Sequence, residues 1–108
     1  MKINHVLGLF IAGLLSVAQL HAQERQISVM SWNVENLFDT TDDPDRDDSE
    51  FLPEGRYKWT EDKLALKMKR LANVITSVKN PDGSVCPDFI GMVEVEHAQI
   101  AQRLNREY

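Results

Sequence analysis

The 108-residue sequence is short of three things: basic charge, cysteine, and any apolar run long enough to cross a bilayer. Twelve Lys and Arg stand against 17 Asp and Glu, a net charge of −5. Phosphate backbones attract Lys and Arg, so the bulk field of such a chain does not draw nucleic acid, and a nucleic-acid contact has to come from a local site. The single cysteine, Cys86, excludes an internal disulfide and with it the stapled scaffolds of small secreted domains. Between Val85 and Pro87 it reads as a partly buried structural thiol. The longest apolar stretch, Val6 to Leu20, covers about 15 residues, below the roughly 20 that a spanning helix requires. No internal repeat is present, and the length allows one small domain.

What stands at the amino terminus explains that apolar stretch. Lys2 provides a short basic start, the stretch follows, and Leu20-His21-Ala22 ends it with a small residue. This is the layout of a secretory signal peptide over residues 1–22. It implies an exported protein, periplasmic or extracellular. No cysteine stands at the cleavage position to take a lipid anchor. Lys2 is the sole charged residue of this segment, so residues 23–108 keep 11 basic and 17 acidic side chains, a net charge of −6.

Residues 26–33 (Gln-Ile-Ser-Val-Met-Ser-Trp-Asn) mix β-branched and apolar types over strand length. A first strand is expected there, with a loop or turn from Val34 to Asp39. Residues 40–57 form an acidic loop that carries Asp42, Asp43, Asp45, Asp47, Asp48 and Glu50 against Arg46. Such a run repels itself and is expected to be solvated. Asp43, Asp45, Asp47 and Glu54 also match positions 1, 3, 5 and 12 of a calcium loop, although Asp48 replaces the turn glycine and Glu50 an apolar residue. Thr60 then offers a helix N-cap followed by Glu61 and Asp62. Leu64, Met68, Leu71, Ala72, Ile75 and Val78 give one apolar stripe, with Lys63, Lys67, Lys69, Arg70 and Lys79 expected on the outer face. Asn80-Pro81-Asp82-Gly83 closes this segment. A second strand is expected over 88–95 and a second helix over 98–106. The nearly continuous apolar run from Phe89 to Val93 suits a parallel strand.

The order strand, helix, strand puts both strand ends on one edge of a parallel pair, where open α/β sheets hold ligands. Asn33 ends the first strand and Glu94 stands near the end of the second. A carboxylate beside an amide oxygen suits a hard cation such as Mg²⁺, which takes oxygen ligands and keeps several waters. By alternation Ser31, Asn33 and Glu35 share one face, and Met92, Glu94 and Glu96 share another. Glu35 and Glu96 are therefore further carboxylate candidates. His97 reads as a surface histidine at a helix start.

Ser31-Trp32-Asn33-Val34-Glu35-Asn36 resembles the opening motif of the endonuclease/exonuclease/phosphatase superfamily. Pro87-Asp88-Phe89-Ile90-Gly91-Met92-Val93-Glu94-Val95 is similar to that superfamily's second motif, which ends on a metal-binding glutamate. Val93 departs from the glutamine usual before it. The resemblance, over about residues 26–108, implies an α/β fold: the β-α-β opening unit of a two-sheet sandwich flanked by helices. It implies Glu94 as principal ligand of Mg²⁺ (or Mn²⁺), Asn33 as the residue placing metal and phosphate, and Glu35 as a further metal contact. The implied activity is hydrolysis of a phosphoester in nucleic acid, a lipid headgroup or a small molecule. The superfamily's general acid/base histidine, its paired aspartate and the Asp and Asn that position water come from later strands. The resemblance therefore implies that residues 23–108 are the N-terminal portion of such a domain, inactive and loosely folded alone. A reading of another class is an exported binding module using residues 42–54 for calcium or a basic partner.

Overall fold

Strand-forming residues at 29–37 and 89–95, separated by a helix, produce a parallel pair. The computed structural model describes residues 26–108, and the signal peptide expected at 1–22 lies outside the described residues. β1 (Val29–Leu37), α1 (Glu61–Ser77), β2 (Phe89–Val95) and α2 (Ala98–Glu107) follow in that order, with a short 3-10 turn at Ser49–Phe51 between β1 and α1. β1 and β2 form a two-stranded parallel sheet. The α/β class and the β-α-β order match the expectation. β1, however, begins later and runs on through the segment expected to be a loop.

One face of the sheet is covered by both helices. Leu64, Met68 and Leu71 of α1, Ile100 and Leu104 of α2, and Val34 and Leu37 of β1 are buried together, with Trp32, Met92, Trp59 and Ile75 packed against them. Full burial of each such aliphatic side chain stabilises by about 1.5–3 kcal/mol. The other face carries Val29, Phe89 and Val93, at 73%, 62% and 55% exposure, so no layer covers it among the described residues. No helix among them is long and apolar enough to cross a membrane.

The helix ends follow local chemistry. Thr60 occupies the α1 N-cap position in extended conformation, and Glu61 and Asp62 stand in the first turn, where the helix dipole favours acid. Beyond Ser77, residues 80–83 form a tight turn in which the Gly83 amide donates to the Asn80 carbonyl at 3.0 Å. Gly83 has φ +85°, a region an L side chain enters at a cost, so glycine belongs there. At α2 the His97 ring accepts from the Ile100 amide at 3.2 Å and acts as the N-cap. Arg103 joins the helices by bonding Glu61 of α1 as well as Glu107.

The acidic segment is packed rather than merely solvated. Phe51 stacks on Phe38 with ring centroids 4.3 Å apart and meets Trp59 edge-on at 6.5 Å. The Trp59 indole donates to the Phe38 carbonyl at 3.0 Å. Asp48 is buried to 2% exposure, and its Oδ2 accepts the Asp43 amide at 3.0 Å. A turn can bury one member of an acidic run by bringing a backbone amide onto its carboxylate, and 43–48 does so through the Asp43 amide.

Candidate metal centre

The strand register pairs Asn33 with Val93, and paired residues share a face. Unbroken alternation would therefore point Glu94 away from Asn33. Two backbone irregularities bring them together. β1 bulges between Asn33 and Leu37, which pairs with Val95. Glu35 and Asn36 on β1, and Glu94 on β2, lie in the left-handed region at φ 55°, 58° and 62°. Each such non-glycine residue costs roughly 1–2 kcal/mol, and clustered outliers are found where a site needs them. Here they turn the ends of both strands toward one spot.

At that spot Asn33 Nδ2 donates to Glu94 Oε1 at 2.7 Å, and the Asn36 amide donates to Glu94 Oε2 at 3.2 Å. Asn33 Oδ1 in turn accepts the Glu35 amide at 2.8 Å. One amide group thus meets an acceptor on its nitrogen and a donor on its oxygen, which settles its orientation. Each carboxylate oxygen of Glu94 receives one donor and keeps lone pairs facing solvent, since Asn33, Glu35 and Glu94 are all exposed. Among the three residues singled out from the sequence, Asn33 and Glu94 touch directly. Glu35 joins through its backbone, its amide held by Asn33.

Lys67 was expected on the outer face of α1, and the structure places it instead at this edge, half-buried. Its Nζ donates to the Glu35 carbonyl, and it lies 5.8 Å from the Trp59 ring centre. Burial lowers its pKa, while the charges of Glu35 and Glu94 oppose that fall. Helical spacing carries the signal: Lys67 is three residues from Leu64 and four from Leu71, at the border of the apolar stripe.

Glu96 is elsewhere than expected, whereas His97 stands at the start of α2 as expected, partly buried. Glu96 does not share a face with Glu94; it is buried at 5% exposure, beyond the end of β2. Its Oε2 accepts the Asp39 amide at 2.9 Å and stands 3.6 Å from His97 Nε2, which lies 3.1 Å from Asp39 Oδ2. Burial raises the Glu96 pKa, partly countered by the Asp39 amide. Asp39, Glu96 and His97 are the group of three potential ligands found among the described residues. Asp43, Asp45, Asp47 and Glu54 form no such group. Asp43 is engaged by Arg46 and by the Asp45 amide, and Asp47 by the Ser49 hydroxyl.

The Asn33–Glu94 arrangement fits a hard divalent cation. It offers one exposed carboxylate, oriented by two donors from elsewhere, with open solvent around it. That is the setting in which Mg²⁺ is held by few protein oxygens and keeps its waters. A family model described as endonuclease/exonuclease/phosphatase family matches residues 28–107. Comparison with curated proteins and with solved structures finds no match.

Proposed function

Because the chain belongs to the endonuclease/exonuclease/phosphatase family, whose model covers residues 28–107, we propose that its strand ends form the metal-holding edge of a Mg²⁺-dependent phosphoester hydrolase. Glu94 is the ligand, for Mg²⁺ or Mn²⁺. Asn33 orients the Glu94 carboxylate and presents its amide to the phosphoryl group, and Glu35 supplies a further carboxylate at the rim. The metal, when bound, polarises a phosphoryl oxygen and offsets charge that builds up on attack. Lys67 adds a fixed positive charge beside the same carboxylates.

The observation that carries this reading is the contact between Asn33 Nδ2 and Glu94 Oε1, made across a register that would otherwise separate them. A strained backbone that serves one side-chain contact is best explained by a site. The substrate is a phosphoester of nucleic acid, lipid headgroup or small-molecule origin, and an acidic chain favours recognition at this local edge over a broad basic surface. The basic, apolar and small-residue layout of residues 1–22 supports export to the periplasm or the exterior.

Calorimetric titration of the chain with Mg²⁺ tests the reading. The wild type binds one ion at this edge, and Glu94→Gln, which keeps shape and removes charge, binds it at least about tenfold more weakly. Equal affinity in the two proteins would refute the assignment.

A further inference from the structure

The bulge that brings Asn33 and Glu94 together takes three residues of β1 out of the register. Val34, Glu35 and Asn36 lie between the Asn33–Val93 and Leu37–Val95 pairs. Backbone groups that leave a ladder need water or another partner. The Glu35 carbonyl finds Lys67 of α1, whose Nζ donates to it. A surface lysine ordinarily keeps its ammonium in water and moves among many rotamers. Lys67 is half-buried instead, and its Nζ stands over the Trp59 ring, 5.8 Å from the centre. An ammonium over an indole face is attracted by the negative face of the ring. That ring is itself fixed: its indole N–H donates to the Phe38 carbonyl at 3.0 Å, and it packs against the core.

The carbonyl that Lys67 takes matters because of what shares its peptide plane. The Glu35 carbonyl and the Asn36 N–H belong to one peptide unit, planar and trans, so the two groups point in opposite directions. The Asn36 N–H donates to Glu94 Oε2 at 3.2 Å. One plane therefore has Lys67 at its oxygen end and the Glu94 carboxylate at its nitrogen end. It lies between two left-handed residues, Glu35 at φ 55° and Asn36 at φ 58°. Turning it over would break both hydrogen bonds at once. A cation on the oxygen also polarises the plane and makes its N–H a stronger donor. The other peptide of Glu35 is held too, its N–H donating to Asn33 Oδ1 at 2.8 Å.

We propose that Lys67 is a positioning residue for Glu94, acting through the Glu35–Asn36 peptide plane. This role rests on Glu94 being the metal ligand. It carries an effect opposite in sign to that of the lysine charge. An ammonium near a cation site repels the cation, so on charge alone its removal strengthens binding. A lysine that aims a donor at the ligand weakens binding when it is removed.

Calorimetric titration of the full chain with Mg²⁺ separates the two. Lys67→Met keeps the length and helix propensity of the side chain and removes the donor. It is expected to bind Mg²⁺ about tenfold more weakly than wild type. Lys67→Arg, which keeps a charged donor, should recover most of that loss. Lys63→Met removes an exposed lysine of the same helix that bonds the Tyr57 carbonyl, and should bind within about twofold of wild type. In protein without metal, hydrogen exchange of the Asn36 amide should quicken in Lys67→Met while that of buried Leu71 keeps its wild-type rate. Should Lys67→Met fail to fold by circular dichroism, Lys67→Gln, shorter and uncharged, is expected to show the same losses. Equal or tighter Mg²⁺ binding in the folded variant, with wild type binding normally, overturns the role of Lys67 alone. So does an unchanged Asn36 exchange rate, or a matching loss in Lys63→Met. A wild-type chain that binds no Mg²⁺ refutes Glu94 as the ligand and the role of Lys67 with it.

Discussion

Asn33 Nδ2 donates to Glu94 Oε1 at 2.7 Å although the strand register sets Asn33 beside Val93. The contact exists because Glu94 takes φ 62° and β1 bulges at residues 34–36. Backbone strain and side-chain contact are therefore one feature, and each can be perturbed separately.

Removing the orienting amide should weaken the metal without removing its ligand. Asn33→Ala leaves Glu94 with the Asn36 amide alone. A lost outer partner of a ligand typically lowers metal affinity 10- to 100-fold. Mg²⁺ calorimetry on Asn33→Ala is expected to show a loss in about that range, smaller than the loss in Glu94→Gln. An unchanged affinity would mean that Asn33 does not position the carboxylate.

The left-handed residues make a stability prediction. Asn36 at φ 58° is one of the residue types that tolerate this region, and a β-branched side chain is not. Asn36→Val is expected to destabilise by about 1–2 kcal/mol, read as a fall in melting temperature of roughly 4–8 °C per kcal/mol. Asn36→Gly, which enters the same region freely, should show no such fall. Equal melting temperatures for Val and Gly variants would contradict the assigned backbone.

Gly55 has a different reason to be glycine. A Cβ built there would lie 2.1 Å from the Ser49 carbonyl oxygen and 2.8 Å from that of Glu50, both backbone atoms that cannot step aside cheaply. Gly55→Ala should force the turn around Phe51 apart, at about 1–3 kcal/mol. Near-ultraviolet circular dichroism of the Phe38, Phe51 and Trp59 cluster is expected to lose intensity. An unchanged spectrum and melting temperature would show that the turn does not hold this packing.

The link between the helices is pH-dependent. The hydrogen bond from Arg103 lowers the pKa of Glu61. A carboxylate whose folded pKa is depressed stabilises above its unfolded value, and that contribution is lost as pH falls through the folded one. Both partners face solvent, so water screens the pair and its worth is no more than about 1 kcal/mol. The melting-temperature gap between wild type and Glu61→Gln should be steady at neutral pH and close below about pH 4.3. A gap that widens in acid would contradict this.

Much of the architecture can be read from residue types. The stripe Leu64, Met68 and Leu71 gives α1 its buried face, and the apolar run from Phe89 to Val93 gives the parallel strand. Asn33 and Glu94 stand out as polar ends of apolar strands. Period-two reasoning fails just where the site lies, because three left-handed residues break the alternation it assumes. Asn and Asp visit this conformation readily, but nothing in a glutamate announces φ 62°. Lys67 was read onto the outer face with its basic neighbours, although its spacing of three from Leu64 and four from Leu71 sets it at the edge of the apolar stripe. Asp48 was not legible: six acids crowd residues 42–50, and only the folded turn, through the Asp43 amide, selects which one is buried. Glu96 was read by alternation past the end of a strand that stops at Val95, and so was assigned to the wrong neighbours.

The most direct test of the central claim is paramagnetic broadening of backbone amide resonances by substoichiometric Mn²⁺. If Glu94, oriented by Asn33, holds the metal, the amides of Asn33, Glu35, Asn36 and Glu94 broaden first, and Glu94→Gln abolishes that pattern. Broadening centred on Asp39, Glu96 and His97, or spread evenly over the acidic surface, would contradict the assignment of the metal to Glu94.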